Sequence, residues 1–147
     1  MLRWLSIIVV VAACHPPDAA APTSTEDPDL AALAHPWKIY GHVLAEKSAI
    51  SEAEADALDG REVIVTATTY ESPWQGSCAD YARSRRTRAL VEVAGELGIA
   101  RAGLGLGARV AEIRLLCQNK RSPPLTMVVD GKHALTCWSG ACYLLSY

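Results

Sequence analysis

Apolar and polar positions alternate with two different periods along this chain, and the changes of period mark its elements. Trp37 to Leu44 is rich in aromatic and β-branched residues and predicts a strand, with Gly41 as a bulge position. Ser51 stands three residues before Glu54, the reciprocal capping pattern of a helix start; Ala53, Ala57 and Leu58 supply its apolar side and Gly60 ends it. From Arg61 to Tyr70, Val63, Val65 and Ala67 alternate with Ile64, Thr66 and Thr68, which predicts one strand covered in part on both faces. A turn-rich stretch, Glu71 to Ser77, leads to Cys78. Leu90, Val91, Ala94 and Leu97 fall at helical spacing before Gly98, so Asp80–Leu97 reads as a helix in preference to the strand that Val91-Glu92-Val93 would allow. The glycine-rich run from Ala102 to Ala108 reads as a connection, because a phosphate-binding loop follows a strand and opens a helix. Arg109 to Cys117 then puts Ala111, Ile113, Leu115 and Cys117 on one face and Glu112 and Arg114 on the other, a half-buried strand.

After Leu125 the pattern becomes a three-strand meander: Leu125–Val129, the turn Asp130-Gly131, Lys132–Trp138, the turn Ser139-Gly140, and Ala141–Tyr147. Two-residue turns fix a register by counting. Val129 is expected opposite Lys132, Met127 opposite Ala134, Trp138 opposite Ala141, and Cys137 opposite Cys142. One face collects Met127, Val129, Ala134, Trp138, Tyr143, Leu145 and Tyr147 and is expected to be the core. The other, with Val128, His133, Leu135, Leu144 and the cysteine pair, is apolar enough to need partial cover from a helix. The fold expected is therefore α+β: a small single domain with an antiparallel sheet ending in the meander, one or two helices and two disulfides.

The chain opens differently, with Arg3 followed by ten largely apolar residues, Trp4 to Ala13, and then Cys14. That run is about half of the roughly 20 residues a membrane-spanning helix needs, and a positive charge before such a run suits an export signal. Val11-Ala12-Ala13-Cys14 resembles the lipobox of bacterial lipoproteins. The resemblance implies a signal peptide over residues 1–13, a diacylglycerol and an N-acyl chain on Cys14 as the only non-protein groups, and a stable membrane anchor, since two or more chains are needed for one. His15, rather than aspartate, after the cysteine implies transfer to the outer membrane. Cleavage after Ala19-Ala20-Ala21 is the competing export reading, with Pro22 then in first place. Residues 14–34, from the lipidated cysteine on, offer little to bury and read as a disordered tether, able to span on the order of 25 Å; the globular domain is expected over 35–147.

Charge and cysteines refine this picture. Loss of the first thirteen residues removes Arg3 from 14 basic residues and none of the 16 acidic ones; the resulting charge of about −3 argues against nucleic acid as a partner. Of five cysteines, lipidation of Cys14 leaves four, the even number that two disulfides in an oxidising compartment require. Hairpin register pairs Cys137 with Cys142, which leaves Cys78 with Cys117.

Chemistry is harder to find. The histidines, His15, His35, His42 and His133, show no ligand spacing and no accompanying carboxylates, so no metal is expected. With its cysteines paired and no Gly-x-Ser-x-Gly elbow, the chain presents no catalytic constellation and no enzyme is predicted. Candidate contacts are Trp74 in its turn, the cluster Arg83, Arg85, Arg86 and Arg88, which could meet lipid phosphates or an acidic partner, and the hairpin tip Ser139-Gly140. Ser139-Gly140-Ala141-Cys142-Tyr143 also resembles the Ser-Gly-x-x-Tyr loop of inhibitors of C-type lysozyme, which are small periplasmic or membrane-anchored β-barrels with disulfides. That likeness implies Ser139 as the inhibitory residue and Tyr143 as its neighbour, although those inhibitors continue through further strands after the loop. The reading reached is a lipid-anchored envelope protein at the periplasmic face, a non-catalytic binding module for a protein or envelope component. A lysozyme inhibitor and a purely structural lipoprotein are the alternatives.

Overall fold

A computed structural model describes residues 27–147. The expected signal peptide, Cys14 and most of the expected tether lie outside the described residues. The elements run α1 (Pro28–Leu33), β1 (Pro36–Leu44), α2 (Glu52–Asp56), β2 (Glu62–Val65), β3 (Tyr70–Ser72), β4 (Gly76–Cys78), β5 (Tyr81–Ala89), α3 (Leu90–Leu97), β6 (Arg109–Cys117), β7 (Leu125–Asp130), β8 (His133–Trp138) and β9 (Ala141–Ser146). All nine strands join one antiparallel sheet in the order β4-β3-β2-β1-β9-β8-β7-β6-β5, which curls until it is nearly closed. The expected meander is the middle of this sheet rather than its end.

The two faces serve two cores. Inside lie Trp37, Ile39, Val63, Val65, Tyr70, Ile113, Leu115, Met127, Tyr143 and Leu145; outside, Leu90, Val93 and Leu104 cover Val110, Val128, Leu135, Cys142 and Leu144. The face assignments read from the hairpins hold except that Tyr147, expected in the core, is exposed just past the end of β9, and α3 with the loop after it supplies the cover that the outer face needs. The glycine-rich stretch is a connection, as expected, whose Leu104 is buried in the outer core.

The seam falls between β4 and β5. It is narrowed by the Cys78–Cys117 disulfide, by Tyr81 Oη donating to Thr66 O at 2.6 Å, and by Gln75 Nε2 donating to Pro123 O at 2.8 Å. Helix α1 also helps: Leu33 is fully buried in the inner core, and Trp37 Nε1 donates to the Leu33 carbonyl at 2.9 Å. Asp27 caps α1 by accepting from the Asp29 and Leu30 N–H groups. This helix occupies residues predicted as tether, so ordered structure begins before position 35.

Three further expectations are corrected. Residues 81–89, expected in a helix, form β5, and only Leu90–Leu97 is helical, ending at Gly98 with φ 68°. The arginine-rich segment gives α3 no apolar stripe, whereas β5 pairs residue by residue with β6 from Tyr81–Cys117 to Ala89–Arg109. The strand expected over 61–70 breaks at Thr66, whose N–H donates to Thr69 O and whose Oγ1 accepts from Thr69 N, folding β3 back on β2. Only one face of β2 is covered, with Val63 and Val65 buried and Ile64 exposed. In the capping box, present as predicted at Ser51 and Glu54, Ala55 rather than Ala53 or Ala57 is the buried residue.

The β7–β8 turn is Gly131-Lys132, one residue later than predicted, so Asp130 pairs with His133, Val129 with Ala134 and Met127 with Thr136. Gly131 has φ 57° and takes the first central position, as in a type II′ turn. Because the register slips by an even number, every side chain keeps its face. At the β8–β9 turn the prediction stands: Ser139 and Gly140 both have positive φ, 51° and 85°, and Trp138 faces Ala141. Cys137 and Cys142 are bonded across the hairpin with Cα atoms 4.0 Å apart.

Candidate functional site

The arginines singled out in the sequence sit on an edge strand, and strand alternation divides them. Arg83 and Arg85 lie opposite Leu115 and Ile113, on the inner face, and reach α1, where they pair with Asp27 and Asp29. Arg86 and Arg88 lie on the outer face around Glu112 of β6, whose side chain is almost buried. Arg86 reaches Glu112 at 2.6 Å; Arg88 bonds Glu112 at 3.1 Å and Glu96 of α3 at 2.7 Å. Hydrogen bonds from Arg88 hold the Glu96 carboxyl below its usual pKa. All four guanidinium groups are thus committed to carboxylates. Arg88 lies nearly buried under α3, whereas the Arg86 side chain stays largely exposed beside Glu112.

Trp74 is half-buried rather than displayed. Its ring stacks on Tyr143 with centroids 5.0 Å apart and planes at 14°, inside the curl of the sheet. The Ser139-Gly140 tip is held from below by the loop after β1, where Ala45 N donates to Gly140 O and Ala49 N to Ser139 O, both at 2.8 Å. Ser139 is exposed, whereas Tyr143 is fully buried, so the two residues carrying the inhibitor resemblance do not share a surface.

The structure assembles a different cluster, around His42. The pairing of β1 with β9 is irregular between Ile39, opposite Leu145, and Gly41, opposite Leu144. That extra residue resets the alternation, so that His42, opposite Tyr143, faces inward like Ile39 although three positions separate them. The chain then turns back into α2, where Glu52 and Asp56, four apart, share one face. Asp59 follows in the turn that ends at Gly60.

These elements close on one imidazole. The His42 side chain is 6% exposed; its Nε2 lies 2.9 Å from Glu52 Oε1 and 3.9 Å from Asp56 Oδ1, and its Nδ1 lies 3.4 Å from Asp59 Oδ1. Burial works to lower the imidazole pKa, but the hydrogen bonds and charges of Glu52 and Asp59 outweigh it and raise the value. Among the described residues no lysine or arginine comes within salt-bridge distance of Glu52, Asp56 or Asp59, so three carboxylates surround a single imidazole. Next to it, the Tyr143 hydroxyl is buried without a hydrogen-bond partner among the described residues. Burial, and after it the charge of Asp59, push this phenol up.

The expectation that no carboxylates accompany the histidines is therefore corrected at His42. The helix-face spacing of Glu52 and Asp56 was a readable signal. The bulge that turns His42 toward them was marked by Gly41, but its effect on facing depends on β9, about a hundred residues away.

Comparison with protein-family models, with curated proteins and with solved structures finds no match for this chain.

Proposed function

We propose that this chain is a lipid-anchored protein of the bacterial envelope, held at the periplasmic face of the outer membrane, whose disulfide-stapled sheet acts as a non-catalytic binding module. One observation carries the reading: the four cysteines of the folded domain are consumed in two disulfides. Cys14, directly after an apolar run, is then the one cysteine left to take lipid. Both bridges require an oxidising compartment, which export supplies. With those thiols oxidised, none of the four is available as a nucleophile. The clamped tip at Ser139-Gly140 and the burial of Tyr143 give the lysozyme-inhibitor alternative less support.

Intact mass of the protein purified from bacterial membranes, with and without reduction before alkylation, tests the proposal. The expected species begins at Cys14, carries three acyl chains and gains four alkyl groups only after reduction. A non-acylated species beginning after Ala21 would overturn the anchor, and alkylation without reduction would overturn the compartment argument. For the binding role, the expected result is saturable retention of an envelope component on the immobilised protein; its absence would leave a structural lipoprotein.

A further inference from the structure

We propose that His42, Asp56 and Asp59 form a binding site for one divalent transition-metal ion of the zinc type, with Glu52 orienting the imidazole. The argument begins with distances. Zinc bonds of about 2.0–2.2 Å to nitrogen and oxygen, in tetrahedral geometry, place neighbouring ligand atoms about 3.3 Å apart. One ring nitrogen of His42 and one carboxylate oxygen each of Asp56 and Asp59 all lie within 4.8 Å of one another, with Asp59 Oδ1 3.4 Å from Nδ1. An ion drawing the three together closes gaps of at most about 1.5 Å, and the two carboxylates that move are exposed. Glu52 is placed to accept from Nε2–H at 2.9 Å, which leaves Nδ1 to the ion in the carboxylate–histidine–metal arrangement that fixes the tautomer and raises the basicity of the ligating nitrogen.

Charge points the same way. Three carboxylates exceed what one imidazole can neutralise, even protonated, and no lysine or arginine among the described residues is within reach. A divalent ion answers that excess. A second feature belongs to the same place: Tyr143, fully buried and paired with His42 across β1 and β9, carries a hydroxyl with no hydrogen-bond partner among the described residues. Its ring centroid is 6.4 Å from that of His42. Three protein ligands leave a fourth position open, and a water on the metal would give the hydroxyl a partner. An imidazole ligand selects zinc, copper or nickel over calcium and magnesium, which prefer oxygen alone.

The test uses the full chain in detergent, carrying Cys14→Ser so that no free thiol competes, with Zn²⁺ as the titrant in calorimetry and Co²⁺ as a visible spectroscopic probe. Saturable uptake of one equivalent is expected, with cobalt absorption typical of a tetrahedral nitrogen–oxygen site. His42→Gln should weaken uptake at least 100-fold and Glu52→Gln by about 10–100-fold, the effect expected of an orienting partner. His133→Gln should change nothing. The exposed pair Asp56→Asn with Asp59→Asn provides a variant whose folding is not at risk, and it too should abolish uptake. Binding that persists in that double variant, that is unaffected by His42→Gln in a folded protein, or that equimolar Ca²⁺ displaces, would overturn the proposal. So would an absence of saturable uptake in the parent chain. None of these outcomes depends on how the protein is anchored.

Discussion

Removing each disulfide separately offers a sharp test of how the curled sheet is held. Cys78 and Cys117 are 39 positions apart and both buried in the inner core; Cys137 and Cys142 are five apart within one hairpin. On the chain-entropy model, a closed loop of about 40 residues stabilises by ~4 kcal/mol at 25 °C and one of about six residues by ~2 kcal/mol. For a domain of roughly 120 residues, 1 kcal/mol shifts the melting midpoint by about 4 °C. Cys78→Ala with Cys117→Ala should therefore lower the midpoint by about 15 °C, and Cys137→Ala with Cys142→Ala by about 8 °C. The first pair also bridges the seam, so its removal should speed amide exchange in β4 and in the neighbouring end of β6. Thermal and urea melts followed by circular dichroism, with exchange read by mass spectrometry, supply the measurements. Equal losses for the two variants, or a larger loss for the hairpin pair, would refute the weighting by loop length. An unchanged exchange rate at β4 would refute the seam's dependence on the bridge.

Leu33→Ala should cost about 3 kcal/mol, because Leu33 is fully buried in the inner core; a loss below about 1 kcal/mol in urea melts would show α1 to be a peripheral flap. At Gly140, with φ 85°, a Cβ would stand 2.6 Å from Ser48 Cα, so Gly140→Ala should destabilise by about 3 kcal/mol. Gly103→Ala, also at φ 85° but with nothing within 4 Å of the added carbon, should cost only about 1 kcal/mol in the same assay. The Glu96 carboxyl, held low chiefly by hydrogen bonding to Arg88, contributes stability that is present above its unfolded pKa of about 4.5 and lost as pH falls through its lower folded value. The stability gap between the parent and Glu96→Gln should accordingly be widest near neutral pH and close on acidification, as seen in urea melts across pH 2.5–7. A gap that widens on acidification would contradict the pairing.

Much of the sheet was legible because the side-chain period of a strand is two. Met127, Val129 and Tyr143 fell on the inner face, and Val128, Leu135 and Leu144 on the outer, even though the first hairpin turn is displaced to Gly131-Lys132. Cys137 and Cys142 could be paired by counting for the same reason. The arginine segment was misread because nothing in Arg83 to Arg88 announces a strand: its partners, Asp27, Asp29, Glu96 and Glu112, come from three other elements, two of them helices. Helix α1 went unseen since a single buried leucine, Leu33, anchors it and its other side chains supply a cap and two ion pairs. His42 could be read as a strand residue, but its environment could not. Its inward facing is decided by the irregularity opposite β9, and its acidic neighbours by how α2 returns over β1.

The strand order has a kinetic consequence. Every strand pairing but one joins sequence neighbours, so β5 through β9 can form as a succession of local pairings, as can β1 through β4. The exception is β1 against β9, a pairing between residues roughly a hundred positions apart, and it is the join that merges two ribbons into one curled sheet. Neither ribbon can bury Trp37 or Tyr143 on its own, because each residue finds its cover in the other half. Closure of the sheet therefore waits until β9 has been synthesised, and until then the inner face of β1 stays without its partner strand.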